Sequence, residues 1–334
     1  MRKQILPQFT FLRALASLSV CIFHIYCGNS NLFPEENFLK SIFAYGYLGV
    51  HLFFMISGFI ICYSLPNNYN YVDALSFFKK RFIRIEPPYI ASIFLLLALN
   101  VVASLFTRNT VEFNWINLIF HLGYLNNFGL GNYYNVVYWT LGIEFQFYLL
   151  LGLLLPLFNR SKTGIFLFII GLAIGTVIPT GSKELIFPYL SIFGLGIVTY
   201  YFKYLKLPHK SSYWILTLLL SGLIYFNLGL VVLVVCIMGL LVIHFYRYQH
   251  AVINFLSRIS YSLYLIHVPI GGKIINFGIR YAHTNIQKYM LVAIAISISI
   301  FASYIFYLIV EKPFVIISKK IMYSNTSAAN SSAS

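Results

Sequence analysis

The stretch SSYWILTLLLSGLIYFNLGLVVLVVCIMGLLVIHFY, residues 211–246, contains no Asp, Glu, Lys or Arg. Crossing the hydrocarbon core of a bilayer takes about 20 residues of helix, about 17 at the least, so this run approaches the length of two crossings. Asn227 and Gly229 interrupt it near the middle. It reads as a tight hairpin of two membrane helices, over 212–227 and 229–246. Outward from it, eight further apolar segments follow the same pattern, at 10–28, 42–65, 86–106, 137–158, 164–180, 186–202, 259–279 and 289–310. The predicted fold class is all-α, a polytopic membrane helical bundle of about ten transmembrane helices.

Composition agrees. Of 334 residues, 60% are hydrophobic and 9% charged, against about 45–50% and about 25% in ordinary globular domains. So few charges cannot coat a 38.4 kDa globule, and mean hydropathy is +0.80. Soluble, disordered, coiled-coil and secreted disulfide-scaffold classes are excluded. The net charge of +15 would point to nucleic acid in a soluble chain. Here the cations sit between apolar runs, as the positive-inside rule requires, so the expected partner is the lipid bilayer and not nucleic acid. With ten spans, sixteen of the 23 Lys and Arg fall on one side and six on the other, with Arg13 inside the first span. This predicts that both termini are cytoplasmic.

The N-terminal stretch MRKQILPQFTFLRALASLSVCIFHIY resembles a signal peptide. It lacks a small-residue cleavage site, and Arg13 and His24 interrupt it, so it reads as a retained span. Cys21, Cys27, Cys62 and Cys236 lie in or beside apolar runs without metal-binding spacing. Neither a disulfide nor a metal is expected. Residues 107–136 are Gly- and Asn-rich and half apolar, and read as an interfacial or re-entrant piece near the outer face. The expected organisation is one transmembrane domain over 1–323 and a disordered polar tail over 324–334.

Ionisable residues inside membrane helices are costly and mark candidate sites. Arg13 and His24 are eleven residues apart, close to three full turns, and share a helix face. Arg81 and Arg84 are neighbours on a helix. Two adjacent guanidiniums suit a phosphate, although a topogenic charge cluster would look the same, and Glu86 could simply pair with one of them. Thr140, Glu144 and Tyr148 form one stripe at the outer start of a span. There Glu144 could position a hydroxyl-rich ligand or partner an arginine. Ser260, Tyr264 and His267 form another stripe, a cavity lining or a helix–helix network. Ser57–Gly58 reads as a close helix crossing or a contact with substrate. His51 stands near them, and Glu311 ends the last span.

Taken in order, these pieces resemble the acyltransferase-3 family of integral-membrane O-acyltransferases. The matching elements are FLRALASLSVCIFHI with Arg13 and His24, GVHLFFMISGFII, RFIRIEPPY with Arg81 and Arg84, YWTLGIEFQFYLL with Glu144, ISYSLYLIHVP, and EKPF. They cover residues 8–315. His51 stands where many relatives have Asp, and the extracytoplasmic hydrolase-like domain of some relatives is not expected here.

The resemblance implies transfer of an acyl group, most often acetyl, from a cytoplasmic acyl-coenzyme A to a hydroxyl of an extracytoplasmic glycan. The acceptor would be a carbohydrate or lipid-linked glycan, and the membrane the bacterial cytoplasmic one. It implies His24 as base, Arg13 as orienter or oxyanion stabiliser, Glu144 as a further catalytic group, and Arg81 and Arg84 as ligands of the donor phosphates. Ser57, Tyr264 and His267 are candidate substrate contacts. Direct transfer and an acyl-enzyme on His24 or Ser57 both stay open. The alternative from another class is a transporter or flippase of a lipid-linked glycan, its pathway lined by the same charges.

Overall fold

A computed structural model of the chain describes residues 6–66, 68–107, 113–205 and 209–323. The expected tail, 324–334, lies outside them. The described residues are largely helical and include no strand.

Among the described residues six helices are long and apolar enough to cross a bilayer: Pro7–Cys27, Phe38–Ser64, Tyr71–Phe106, Trp139–Phe158, Ser211–Leu228 and Asn285–Lys320. The pair Ala251–Arg258 and Ser260–Gly278, bent by 56°, makes a seventh if taken as one span. The expected all-α polytopic membrane bundle is therefore what the chain forms. The remaining expected spans are helices too: Lys162–Thr176 and Leu230–Phe245 have only 15 and 16 residues, and Leu190–Tyr200 is extended by the helical turns Phe187–Tyr189 and Tyr201–Leu205. The first two are shorter than the about 20 residues that a full crossing takes.

The described residues fall into two compact units. The first draws on Met1–Val50, Glu86–Trp139 and Phe245–Pro313. Its opening helix, Pro7–Cys27, carries proline in the first turn, where a missing N–H costs nothing. That helix packs on Ala44–Leu48, Ala251–Arg258 and Ser260–His267. Cys21, Ile25, Tyr26, Leu263, Ile275 and Ala295 form a buried core cluster.

Within this unit Pro269 lacks the N–H that a helix would offer to the Leu265 carbonyl four residues back. The side chain of Asn135 donates to that carbonyl instead, at 3.1 Å. The backbone widens into a π-helical turn over Val268–Gly272. Asn135 belongs to the segment that the sequence suggested was interfacial or re-entrant. Its described part holds the short helix Trp115–Leu122, capped by the side chain of Asn114, and buries Asn117, His121, Asn126, Asn127 and Asn135.

The second unit draws on His51–Ile85, Thr140–His244 and Phe314–Ser334. Here Gly49–Ser64 crosses Leu190–Tyr200 with almost no space between the backbones. A Cβ on Gly58 would stand 2.1 Å from the Phe193 carbonyl oxygen, and one on Gly196 equally close to that of Met55. The close crossing expected at Ser57–Gly58 is present, and it turns the neighbouring Ser57 toward another helix. Pro156 repeats the theme of a freed carbonyl: Tyr69 donates its hydroxyl to Gly152, four residues before the proline, at 3.2 Å.

Candidate active site

The first unit brings two imidazoles together. His24 comes from Pro7–Cys27 and His267 from the end of Ser260–His267, with ring centroids 5.2 Å apart. His267 Nδ1 lies 2.8 Å from the Leu263 carbonyl oxygen. A carbonyl only accepts, so Nδ1 carries the proton, and in the neutral ring Nε2 is left with its lone pair. That Nε2 is 3.3 Å from Nδ1 of His24, which also lies 3.1 Å from the Val20 carbonyl oxygen. With two acceptors facing it, His24 Nδ1 is the donor. In neutral His24 the bare lone pair is therefore on Nε2, which no group among the described residues engages.

The helix that presents His267 is held along its length. Glu311 Oε2 accepts from the backbone N–H of Ser262 at 3.2 Å and from its hydroxyl at 2.5 Å. It thus satisfies an open donor in the helix's first turn with a carboxylate, the charge that end favours. Tyr264 donates its hydroxyl to the Val137 carbonyl at 3.2 Å. His267 is 0% exposed. Of the predicted stripe Ser260, Tyr264 and His267, the last two carry the bonds just described, whereas Ser262, two residues from Tyr264 and so about 200° round the helix, meets Glu311 on another side. Arg13 lies three turns from His24 on the same helix, about 16 Å along the axis, too far for the two side chains to hydrogen-bond directly.

The second unit holds a polar column. Arg81 Nη2 donates to Ser64 Oγ at 2.6 Å, and its guanidinium lies 5.6 Å from the Phe77 ring centroid and 5.7 Å from that of Tyr148. Tyr148 hydrogen-bonds Glu144. Glu144 Oε1 accepts from Ser57 Oγ at 2.6 Å. Arg81 lies within electrostatic reach of Glu144 and Arg84. Arg81 and Glu144, read from sequence at opposite ends of their spans, thus belong to one cluster: Tyr148 lies one turn deeper than Glu144 and meets the guanidinium. His51 is buried with its ring 6.1 Å from that of Tyr189.

Glu86 pairs differently from the arginine partnership considered for it. In the first unit it is 4% exposed and accepts from the Tyr124 hydroxyl at 2.7 Å. Tyr124 is the one non-glycine residue at positive φ among those described, at 54°. Its ring stacks on Tyr89 at 5.4 Å. His121 nearby is fully engaged, donating from Nδ1 to the Asn117 carbonyl at 2.9 Å and accepting at Nε2 from the Tyr134 N–H at 3.1 Å. Burial pulls its pKa below the ordinary histidine value. Ser64, Ser262 and Tyr124 were not singled out from sequence; each is an ordinary residue whose importance appears only through a partner on another segment. Among the described residues no three His, Cys, Asp or Glu side chains gather as metal ligands.

Residues 6–308 match the family described as an acyltransferase domain, acyltransferase-3. Among relatives, ORF330 of Acidianus two-tailed virus, whose name proposes an acetyltransferase, is 27% identical over 303 residues, covering 80% of this chain and 84% of that protein. The O-acetyltransferase OatA of Staphylococcus aureus (strain NCTC 8325 / PS 47) is 29% identical over 175 residues, 47% of this chain and 26% of OatA. No solved structure matches. A family match over nearly the whole chain, with helices long and apolar enough to cross a membrane, makes the chain a member of the acyltransferase-3 family and an integral-membrane acyltransferase.

Proposed function

We propose that the protein moves an acetyl group from cytoplasmic acetyl-coenzyme A to a hydroxyl of an extracytoplasmic glycan, in the cytoplasmic membrane. The observation that carries the reading is His24, whose Nδ1 is committed to the Val20 carbonyl while Nε2 has no partner among the described residues. The O-acetyltransferase name of one relative supports oxygen as the acceptor atom and acetyl as the group.

An alcohol is a poor nucleophile at neutral pH. His24 Nε2 takes the hydroxyl proton as the oxygen attacks the thioester carbonyl. The new C–O bond forms, the C–S bond breaks, and the proton passes from Nε2 to the departing sulfur. The products are an ester and free coenzyme A, and His24 is again neutral. General-base help of this kind contributes about 10²–10⁴-fold. Arg81 and Arg84 hold the donor phosphates. Glu144, with Ser57 and Tyr148, sets the orientation of Arg81. Arg13, three turns from His24 on the same helix, orients the donor and not the imidazole.

The test is acetyl-coenzyme A turnover by purified protein, read as free thiol, together with acetylation of cell-envelope glycans read by mass spectrometry. His24→Gln reproduces one hydrogen bond but cannot act as a base, and should lower turnover at least about 10²-fold with donor affinity unchanged. Arg81→Ala with Arg84→Ala should weaken donor binding. Full acetylation by a stably expressed His24→Gln protein would end the reading.

A further inference from the structure

We infer that His267 is a positioning residue: its Nε2 accepts the Nδ1–H of His24 and locks His24 in the tautomer whose basic nitrogen is Nε2. The inference rests on the reading of His24 as the base. It assigns His267 neither the base's role nor contact with substrate, because both of its ring nitrogens are engaged and it is 0% exposed.

The physical argument starts from what a lone buried histidine would do. The two neutral tautomers of imidazole are close in energy, so a partner must choose between them. At His24 the Val20 carbonyl votes for Nδ1–H, but that bond is 3.1 Å long and lies within a single helix turn. His267 adds a second acceptor at the same nitrogen. In the opposite tautomer the Nδ1 lone pair of His24 would face the Val20 oxygen and the Nε2 lone pair of His267 together. When His24 takes up the substrate proton, its Nδ1–H keeps both acceptors, so the positive charge forms without a partner having to move. A carboxylate behind a catalytic histidine does the same work with a full charge. Here the second imidazole does it neutrally.

For this to operate, His267 must itself be held in one tautomer and one place. Leu263 fixes the tautomer at 2.8 Å. The helix is fixed at its start by Glu311 on Ser262, in its middle by Tyr264 on the Val137 carbonyl, and near its end by Asn135 on Leu265. Three partners from two other segments meet a helix of 8 residues. Two π-helical turns flank this arrangement: Val268–Gly272 begins directly after His267, and Tyr307–Glu311 ends on the capping carboxylate. Such turns inside helices recur at functional sites.

The experiment uses the full chain in detergent micelles with ring-¹⁵N histidine, the His24 signals being identified by their loss in His24→Gln. The wild type should show protonated Nδ1 and bare Nε2 at His24. His267→Leu removes the acceptor and should give a mixture of tautomers, with turnover of acetyl-coenzyme A down at least tenfold in kcat and donor KM within twofold. His267→Gln, whose amide oxygen can accept from Nδ1–H, should recover part of the loss. Wild-type kcat and an unchanged His24 tautomer in a folded His267→Leu protein would overturn the inference. So would an Nε2–H tautomer at wild-type His24, a result that needs no variant of His267 to fold. A fully active His24→Gln protein would mark failure of the base reading itself, and the positioning role would fall with it.

Discussion

Nδ1 of His24 and Nε2 of His267 lie 3.3 Å apart across 243 residues of sequence. A contact at that distance survives only if both helices hold their registers to within a few tenths of an ångström. The bonds that fix the second helix therefore matter as much as the pair.

The freed carbonyl at Leu265 gives a thermodynamic test. Asn135→Leu leaves that carbonyl without its side-chain donor and should cost about 1–3 kcal/mol, seen as a lower melting temperature in detergent. Pro269→Ala restores a backbone N–H four residues on. In the Pro269→Ala background the same Asn135→Leu change should cost clearly less. Equal costs in the two backgrounds would mean that Asn135 does not substitute for the missing N–H.

Glu311 should behave as a cap. Glu311→Ala strands the N–H and hydroxyl of Ser262 and should destabilise by about 1–3 kcal/mol. Glu311→Gln keeps an acceptor oxygen and should cost less. An unchanged melting temperature in Glu311→Ala would remove the carboxylate from this role.

His121 supplies a pH dependence. Burial lowers its pKa in the folded protein, whereas in the unfolded chain it returns to about 6.5. Its contribution is then complete above about pH 6.5 and is lost as the pH falls from there toward the folded value, because the unfolded state binds the proton first. The wild type should lose melting temperature between pH 7.5 and pH 5, and His121→Gln should flatten that slope. Parallel profiles would show that His121 stays accessible to protons when folded.

Orientation can be read with cysteine labelling. Tyr248 is 79% exposed and Phe128 61% exposed. The charge asymmetry predicts the first on the cytoplasmic side and the second on the opposite side. An impermeant thiol reagent added outside intact cells should label Phe128→Cys and spare Tyr248→Cys. Labelling of both from one side would refute the proposed arrangement.

The elements that could be read from sequence are those that depend on one helix at a time. Runs without charge marked the membrane helices, and spacing put Arg13 with His24 and Ser260 with His267 on common faces. Pairing between helices followed no such rule. Ser57 meets Glu144 across 87 residues and Arg81 meets Ser64 across 17, and periodicity names a face without naming what lies opposite. Glu86 shows the limit most clearly. Two arginines stand within five residues of it in sequence, yet its partner is Tyr124, brought in by a loop whose backbone takes a left-handed turn at that residue. The short helices such as Lys162–Thr176 are equally apolar in sequence whether or not they cross fully; only their length in the fold separates them.

The helix Tyr71–Thr107 has 37 residues, and at about 1.5 Å per residue it is about 55 Å long. Hydrocarbon is about 30 Å thick, and membrane helices tilt by up to about 40°. Even at that slope some 15 Å of this rod overhangs the oily layer. The overhang has to be at the beginning, because every charge on the helix, from Asp73 to Glu86, lies in its first half. Arg81 and Arg84 are about 15 and 20 Å from that end. The surplus length thus keeps Arg81 and Arg84 near the edge of the hydrocarbon, where the anionic donor of the proposed reaction would meet them without giving up its hydration to the membrane interior.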